Sequence, residues 1–203
     1  MYLIEDGRAP NPRRVRIFLA EKNITVERRQ IDINKNEQRS QELTALNPFQ
    51  RIPVLVFDDG TALSESVAIC RYFEETTPEP SLFGKGARQK AEVEMWNRRA
   101  ETTVLFHVAQ GFRHTHPAMS EMEVPQIKDW GLINQNKIDP ILGHFDKHLQ
   151  KNEFLAGETF SIADITLLVG VDFMRVLKRR IPETMTALQR WHDDVSARPS
   201  SKA

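Results

Sequence analysis

The chain has 203 residues, with Lys plus Arg equal to Asp plus Glu at 28 each, so its formal charge is zero. That balance argues against a nucleic-acid footprint, and no apolar run approaches the ~20 residues that span a bilayer. A single cysteine, Cys70, excludes an internal disulfide framework and, with no signal-peptide pattern at the start, points to a reducing cytoplasm.

The first elements follow from local patterning. Residues 1–4 read as a short strand, and 12–22 as an amphipathic helix with Val15, Ile17, Phe18 and Leu19 apolar and Asn11 or Pro12 as its start. The basic cluster Arg13, Arg14 and Arg16 on this helix reads as a solvated face. Residues 24–31 are rich in β-formers, consistent with a strand parallel to the first, and a short helical turn is expected near 42–46.

The stretch from Asn47 to Ser66 is the most informative. Pro53 cannot donate a hydrogen bond, so it opens the apolar run Val54, Leu55, Val56 and Phe57 where no ladder bond is needed. Asp59 and Gly60 supply a two-residue hairpin turn, and Ser64 is placed to cap the helix expected over 64–75. Such an edge suits an added peptide: the main chain at Ile52 would pair with it as a strand, and the N–H groups and hydroxyl at Ser66 would hold a carboxylate.

Residues 76–86, with Pro78, Pro80 and Gly84, form the natural linker, and beyond it the periodicity is purely helical. One long helix is expected over 87–115, ended by the residues before Pro117. A second holds Ile138, Ile141, Leu142, Phe145 and Leu149, with Pro140 predicting a kink or a late start. Ser161 and Asp164 form a capping-box-like start that orients a buried helix, and a last helix is expected from Ile181.

Three segments, Ala9–Lys22, Asn47–Glu75 and Phe154–Asp164, stand together in an order and spacing that resembles the soluble glutathione S-transferase family, bacterial type. The resemblance implies an α/β plus all-α protein: a thioredoxin-like βαβ-ββα domain over 1–77 that binds glutathione, a linker over 78–86, and an all-helical domain over 87–203 that contributes the electrophile pocket. It implies that Glu65 and Ser66 hold the γ-glutamyl end of the tripeptide, that Ile52 pairs with its cysteinyl residue beside a cis Pro53, and that Gln50 and Arg51 meet the glycine carboxylate, with Arg39 a lesser candidate. Phe106, Gln110 and Phe112 are expected to line the electrophile pocket, with Trp130 nearby. Asn97 and Glu101 are expected to reach the γ-glutamyl amine of a neighbouring subunit.

The family usually places a Tyr, Ser or Cys donor by the glutathione sulfur, and matching puts Ala9 at the serine or cysteine position and Glu5 at the tyrosine one. Asn11 is therefore the candidate donor, as in bacterial and fungal relatives with asparagine two positions later; capping the helix is its other role. Cys70 reads as a buried structural thiol, and His107, His114 and His116 lack the spacing and further ligands of a metal site. The expected function is a cytoplasmic, homodimeric glutathione S-transferase joining glutathione, as co-substrate, to small hydrophobic electrophiles. A glutathione-binding protein with little transferase activity and a glutathione-dependent peroxidase or reductase are the alternatives.

Overall fold

A computed structural model describes all 203 residues. They form two compact units, residues 1–82 with 199–203, and residues 83–198. No helix is long and apolar enough to cross a membrane.

In the first unit the order is β1 (Tyr2–Glu5), α1 (Pro10–Glu21), β2 (Glu27–Gln30), α2 (Gln41–Leu46), β3 (Val54–Val56), β4 (Ala62–Ser64) and α3 (Ser66–Thr76). The strands lie side by side as β2-β1-β3-β4. β1 and β2 are parallel, and β3 runs antiparallel to both β1 and β4. This is the βαβ-ββα arrangement read from the sequence. Val54, Leu55 and Val56 are all buried, as a strand covered on both faces must be. Ile4, Val54 and Val56 pack with Leu43 of α2 on one face. Alternation turns Leu3 and Leu55 to the other face, where α1 and α3 supply the buried Val15, Phe18, Ile69 and Phe73.

The hairpin turn differs from the expected two-residue type. Phe57 N–H donates to Thr61 O at 2.9 Å and Gly60 N–H to Phe57 O at 3.0 Å. The loop thus holds three residues, and only Gly60, at φ 83°, takes the left-handed conformation. A type I turn followed by one left-handed residue matches strand twist as well as the primed two-residue turn does.

The second unit comprises α4 (Gly86–Arg99), a π-helical segment (Ala100–Leu105), α5 (Phe106–Thr115), α6 (Lys128–Leu149), α7 (Ile162–Phe173) and α8 (Thr186–Ser196). The expected long helix is therefore continuous from Gly86 to Thr115 but changes its hydrogen-bond pattern in the middle. α6 carries Pro140 in its interior and starts twelve residues before it, at Lys128. A late start is thus overturned. Gly131 lets α6 approach α5: a Cβ there would stand 2.5 Å from Thr115 Cγ2.

α7 is the centre of this unit, with every residue from Ile162 to Val171 buried. Ser161 and Asp164 form the expected capping box. Asp164 does more than cap. Its Oδ1 accepts from Leu155 N–H at 2.9 Å and Trp191 Nε1 at 3.0 Å, and its Oδ2 accepts from the backbone N–H and hydroxyl of Ser161, each at 3.0 Å. α8 begins at Thr186 rather than near Ile181. Its early turn is fixed from outside, because the buried Asp146 of α6 accepts from Leu188 N–H at 2.9 Å. A carboxylate from another helix does the work of a local cap, which no local sequence pattern encodes.

Replacing Asp164 by alanine leaves three buried N–H donors without an acceptor. At about 1–3 kcal/mol each, the Asp164→Ala chain is expected to lose about 3–5 kcal/mol in urea unfolding. Burial pushes the Asp164 carboxyl up to about 6, against the opposing pull of the Leu155, Trp191 and Ser161 donors. The folded chain therefore holds a proton that the unfolded chain has released above its ordinary value of 3.8. This contribution is full below about pH 4 and is lost as pH rises to about 6. Unfolding free energies of wild type and Asp164→Asn between pH 4 and 7 should show the wild-type advantage narrowing with rising pH; a widening gap would contradict the assignment.

Candidate functional site

The segment leading into α1 is set by Asp6. This carboxylate is nearly inaccessible and accepts from Arg8 N–H at 2.9 Å, Arg8 Nε at 2.9 Å, Arg8 Nη2 at 2.6 Å and Ile33 N–H at 3.1 Å. Burial raises its pKa, but these donors together outweigh burial and lower it to about 2. The chain is thus tied down immediately before the residue that matching puts at the usual donor position. Ala9 is extended at φ −81°, ψ 142° and serves as the N-cap of α1 with no side-chain hydrogen bond.

Helix α1 starts at Pro10, earlier than expected, so Asn11 lies inside the first turn and is not its cap. Two prolines explain the shift, since each has φ fixed near the helical value and neither needs an acceptor for an N–H. The same fact isolates Asn11. Of the first three helical residues, Pro10, Asn11 and Pro12, it alone carries a backbone N–H, and its side chain is exposed.

The loop before β3 is held by Asn47. Its Nδ2 donates to Arg51 O at 2.8 Å, and its Oδ1 accepts from Phe49 N–H at 3.2 Å. Gln50 is left-handed, at φ 54°, and its Nε2 donates to Thr44 Oγ1 at 3.1 Å. Arg51 is exposed. The Ile52–Pro53 bond is cis. Ladder pairing of β3 begins only at Val54, opposite Ser64, so the main chain at Ile52 stands outside it. Ile52 and Ser66 thus flank the same end of the hairpin, each two residues beyond the ladder.

Ser64 belongs to β4, and the residue preceding α3 is Glu65, at φ 70° and ψ 112° with no side-chain cap. The expected Ser64 cap is thus replaced by a non-glycine residue in a conformation that costs on the order of 1–3 kcal/mol. Glu65 is exposed while Ser66 is buried. Ser66 Oγ accepts from Arg14 Nη1 at 2.8 Å.

This contact overturns the solvated-face reading of the basic cluster. Arg14 is fully buried, and Arg16 nearly so. Arg16 Nη1 pairs with Glu5 Oε2 at 2.7 Å, and Arg16 Nη2 donates to Gly7 O at 3.1 Å. Arg14 stands four residues before Phe18 on the apolar stripe of α1, which was the available signal. The Cys70 thiol is fully buried and is pushed up to about 12 by that burial, in keeping with its structural reading.

In the second unit, Phe106 is exposed on α5 and Gln110 Oε1 accepts from Trp130 Nε1 at 3.0 Å. Phe106 and Gln110 share a helix face. Phe112 lies on a different one, edge-on to Phe173 at 5.6 Å and beside His116 at 4.8 Å. His107 Nδ1 is 2.6 Å from Asn134 Oδ1, a pairing that helical spacing did not suggest. Asn97 is fully buried, its Oδ1 accepting from Thr166 Oγ1 at 2.6 Å, so its expected reach to a neighbouring subunit is overturned.

Comparison with known proteins identifies the fold and the family. Residues 9–76 match the model of the glutathione S-transferase N-terminal domain, and residues 128–199 that of the C-terminal domain. Glutathione S-transferase 2 of Saccharomyces cerevisiae is 37% identical over 205 residues, covering 100% of this chain and 88% of that protein. The crystal structure of Gtt2 from the same yeast superposes with a TM-score of 0.95 at 37% identity, over 100% of this chain and 99% of that one. A glutathione S-transferase domain-containing protein from Marinobacter aquaeolei gives a TM-score of 0.95 at 36% identity, over 99% of this chain and 100% of that one. With both domain models matched and relatives more than 30% identical over nearly the whole of this chain, the chain belongs to the glutathione S-transferase family.

Proposed function

We propose that the protein is a glutathione S-transferase that adds the glutathione thiolate to small hydrophobic electrophiles, a detoxification chemistry. The observation that carries this reading is the juxtaposition at the end of the β3–β4 ladder. Ile52, two residues before β3, and Ser66, two residues after β4, flank the same end of the hairpin, and the Ser66 hydroxyl is anchored on a buried guanidinium. Main-chain groups at Ile52 suit a cysteinyl residue laid down as an extra strand. Glu65 and Ser66 at the mouth of α3 suit the γ-glutamyl ammonium and carboxylate, the latter favoured by the helix dipole. Gln50, Arg51 and Pro53 complete the set, with Arg51 offering the glycine carboxylate a guanidinium that can bind in bidentate fashion.

The chemical step requires the glutathione sulfur as thiolate, and a free thiol titrates at about 8.5. Asn11 supplies the donors, from its side-chain amide and from the one N–H in the first turn of α1. A hydrogen bond to a charged partner is worth roughly 1.5–3 kcal/mol, and the helix end adds about 0.3–1 kcal/mol. That sum matches the about 2.7 kcal/mol needed to lower the thiol by two units. The domain over 1–77 would bind glutathione, and the helical domain over 87–203, past a linker at 78–86, would take the electrophile. There Phe106 and Gln110 share the face of α5 proposed to line the pocket, with Gln110 steadied by Trp130, while Phe112 packs on Phe173 from another face and falls outside that lining. We further propose a homodimer working in the cytoplasm.

The ultraviolet thiolate band of bound glutathione, titrated from pH 5 to 10, tests this reading. Wild type should show a bound-thiol pKa well below the free value, and Asn11→Ala should raise it by about 1–2 units. The kcat/KM ratio between the two should then be largest near pH 6.5 and close above pH 9. A wild-type bound thiol titrating at its free value would end the transferase reading, and a depressed value untouched by Asn11→Ala would remove Asn11 from the mechanism.

A further inference from the structure

Arg14 is fully buried, and its Nη1 reaches Ser66 Oγ at 2.8 Å. A guanidinium has only donors and does not deprotonate in proteins. At this contact the hydroxyl oxygen is therefore the acceptor at every pH, and the serine proton must point elsewhere. An unconstrained serine hydroxyl rotates and can serve either an ammonium or a carboxylate. Here one of the two lone pairs is taken by Arg14, the O–H remains to be donated, and the guanidinium charge behind the oxygen disfavours a second cationic donor such as an ammonium.

Three local features share the same sign. Ser66 opens an eleven-residue helix whose first-turn N–H groups lack partners within it. The dipole of that helix favours negative charge there. The Arg14 charge lies behind the hydroxyl in a medium of low dielectric, where it is little screened. Two nearby groups could compete as anions: the exposed Glu65, which the proposed reading gives to the γ-glutamyl ammonium, and Cys70, one turn further along α3. With its thiol pushed up to about 12 by burial, Cys70 stays neutral.

We propose that Arg14 is a positioning residue which makes the Ser66 hydroxyl a carboxylate-selective contact at the mouth of α3, fixing which end group of the γ-glutamyl moiety is held by that hydroxyl. The proposal rests on the glutathione reading above and adds to it a determinant of selectivity on α1. Arg14 touches no substrate atom. Its effect is read through the hydroxyl, so it must depend on the ligand carrying a carboxylate.

Calorimetric dissociation constants for two peptides separate this role from simple packing. One is glutathione. The other is 4-aminobutanoyl-cysteinyl-glycine, which keeps the amine and lacks the α-carboxylate. Arg14→Met should weaken glutathione about tenfold or more, the loss of one charge-assisted contact, and the analogue less than twofold. Ser66→Ala should do the same, and the double variant should be no worse than about threefold beyond Ser66→Ala, because both changes remove one linked unit. Equal weakening of both peptides by Arg14→Met, or losses that multiply in the double variant, would overturn the proposal while leaving the glutathione reading standing. Wild type that binds neither peptide would overturn both. Should Arg14→Met fail to fold, Arg14→Lys carries the test: about threefold to tenfold weaker glutathione with the analogue within twofold is expected, and equal weakening of both overturns the proposal.

Discussion

Charge that is taken out of water must be met by partners, and helix α1 with its C-cap residue Lys22 carries three such charges. Arg14, Arg16 and Lys22 are all buried. Arg14 meets Ser66 at the start of α3, and Arg16 meets Glu5 on β1. Lys22 Nζ meets Glu74 Oε2 at 2.7 Å and the carbonyls of Thr77 at 2.7 Å and Pro80 at 2.8 Å. Removing one member of a buried pair costs about 3–5 kcal/mol, largely because the other is left uncompensated. A rotation of α1 about its axis would break several of these contacts at once. The helix is therefore fixed in azimuth as well as position, which apolar packing alone specifies less sharply. The end of the chain joins the same arrangement: Arg16 Nε donates to Ala203 O at 3.2 Å, and the Ser200 hydroxyl donates to Glu21.

The fixed azimuth has a chemical consequence at the other end of the helix. Asn11 sits between two prolines, so the first turn of α1 offers a ligand one backbone N–H and one side-chain amide, both from the same residue. Asp6 binds Arg8 and the Ile33 N–H, tying the preceding turn to the segment that follows β2. With Ala9 at the usual donor position, the site has no hydroxyl or thiol to aim at the sulfur there. In the proposed mechanism it has instead Asn11, whose backbone is constrained by a proline on either side. A donor held in place before the ligand arrives loses little further freedom on binding, which is where a modest hydrogen bond contributes most.

How much of this was legible depended on whether the determinant was local. The order of strands and helices and the Ser161–Asp164 capping box follow from residues close in sequence, and periodicity or turn chemistry exposes them. The misplacements share one cause. Ser64 looked like a cap because its hydroxyl stands near a helix start, but the strand register with Val54 kept it in β4. Ile181 looked like the start of the last helix, but the acceptor that starts it, Asp146, lies on α6. The arginines of α1 look solvated because charge is usually solvated; partners brought in by tertiary structure, Glu5 and Ser66 among them, permit their burial. Asn11 was misjudged locally as well: two prolines in three residues move a helix start in a way that a single capping preference does not capture.

The anchoring of the γ-glutamyl end and the activation of the sulfur are two parts of one energetic argument. Binding energy realised away from the reacting atom accelerates a reaction only when it holds that atom where transition-state interactions are made. A tripeptide fastened at Ser66 and paired along Ile52 has its cysteinyl side chain limited to a small volume, and a displacement on the order of 1 Å from the Asn11 donors is enough to forfeit a large share of the rate. In the proposed mechanism Arg14 therefore serves catalysis without touching the sulfur. It sits three residues beyond Asn11 on the same rigid helix, so the donor for the thiolate and the anchor for the carboxylate are held in one frame, and a shift of α1 would displace both together.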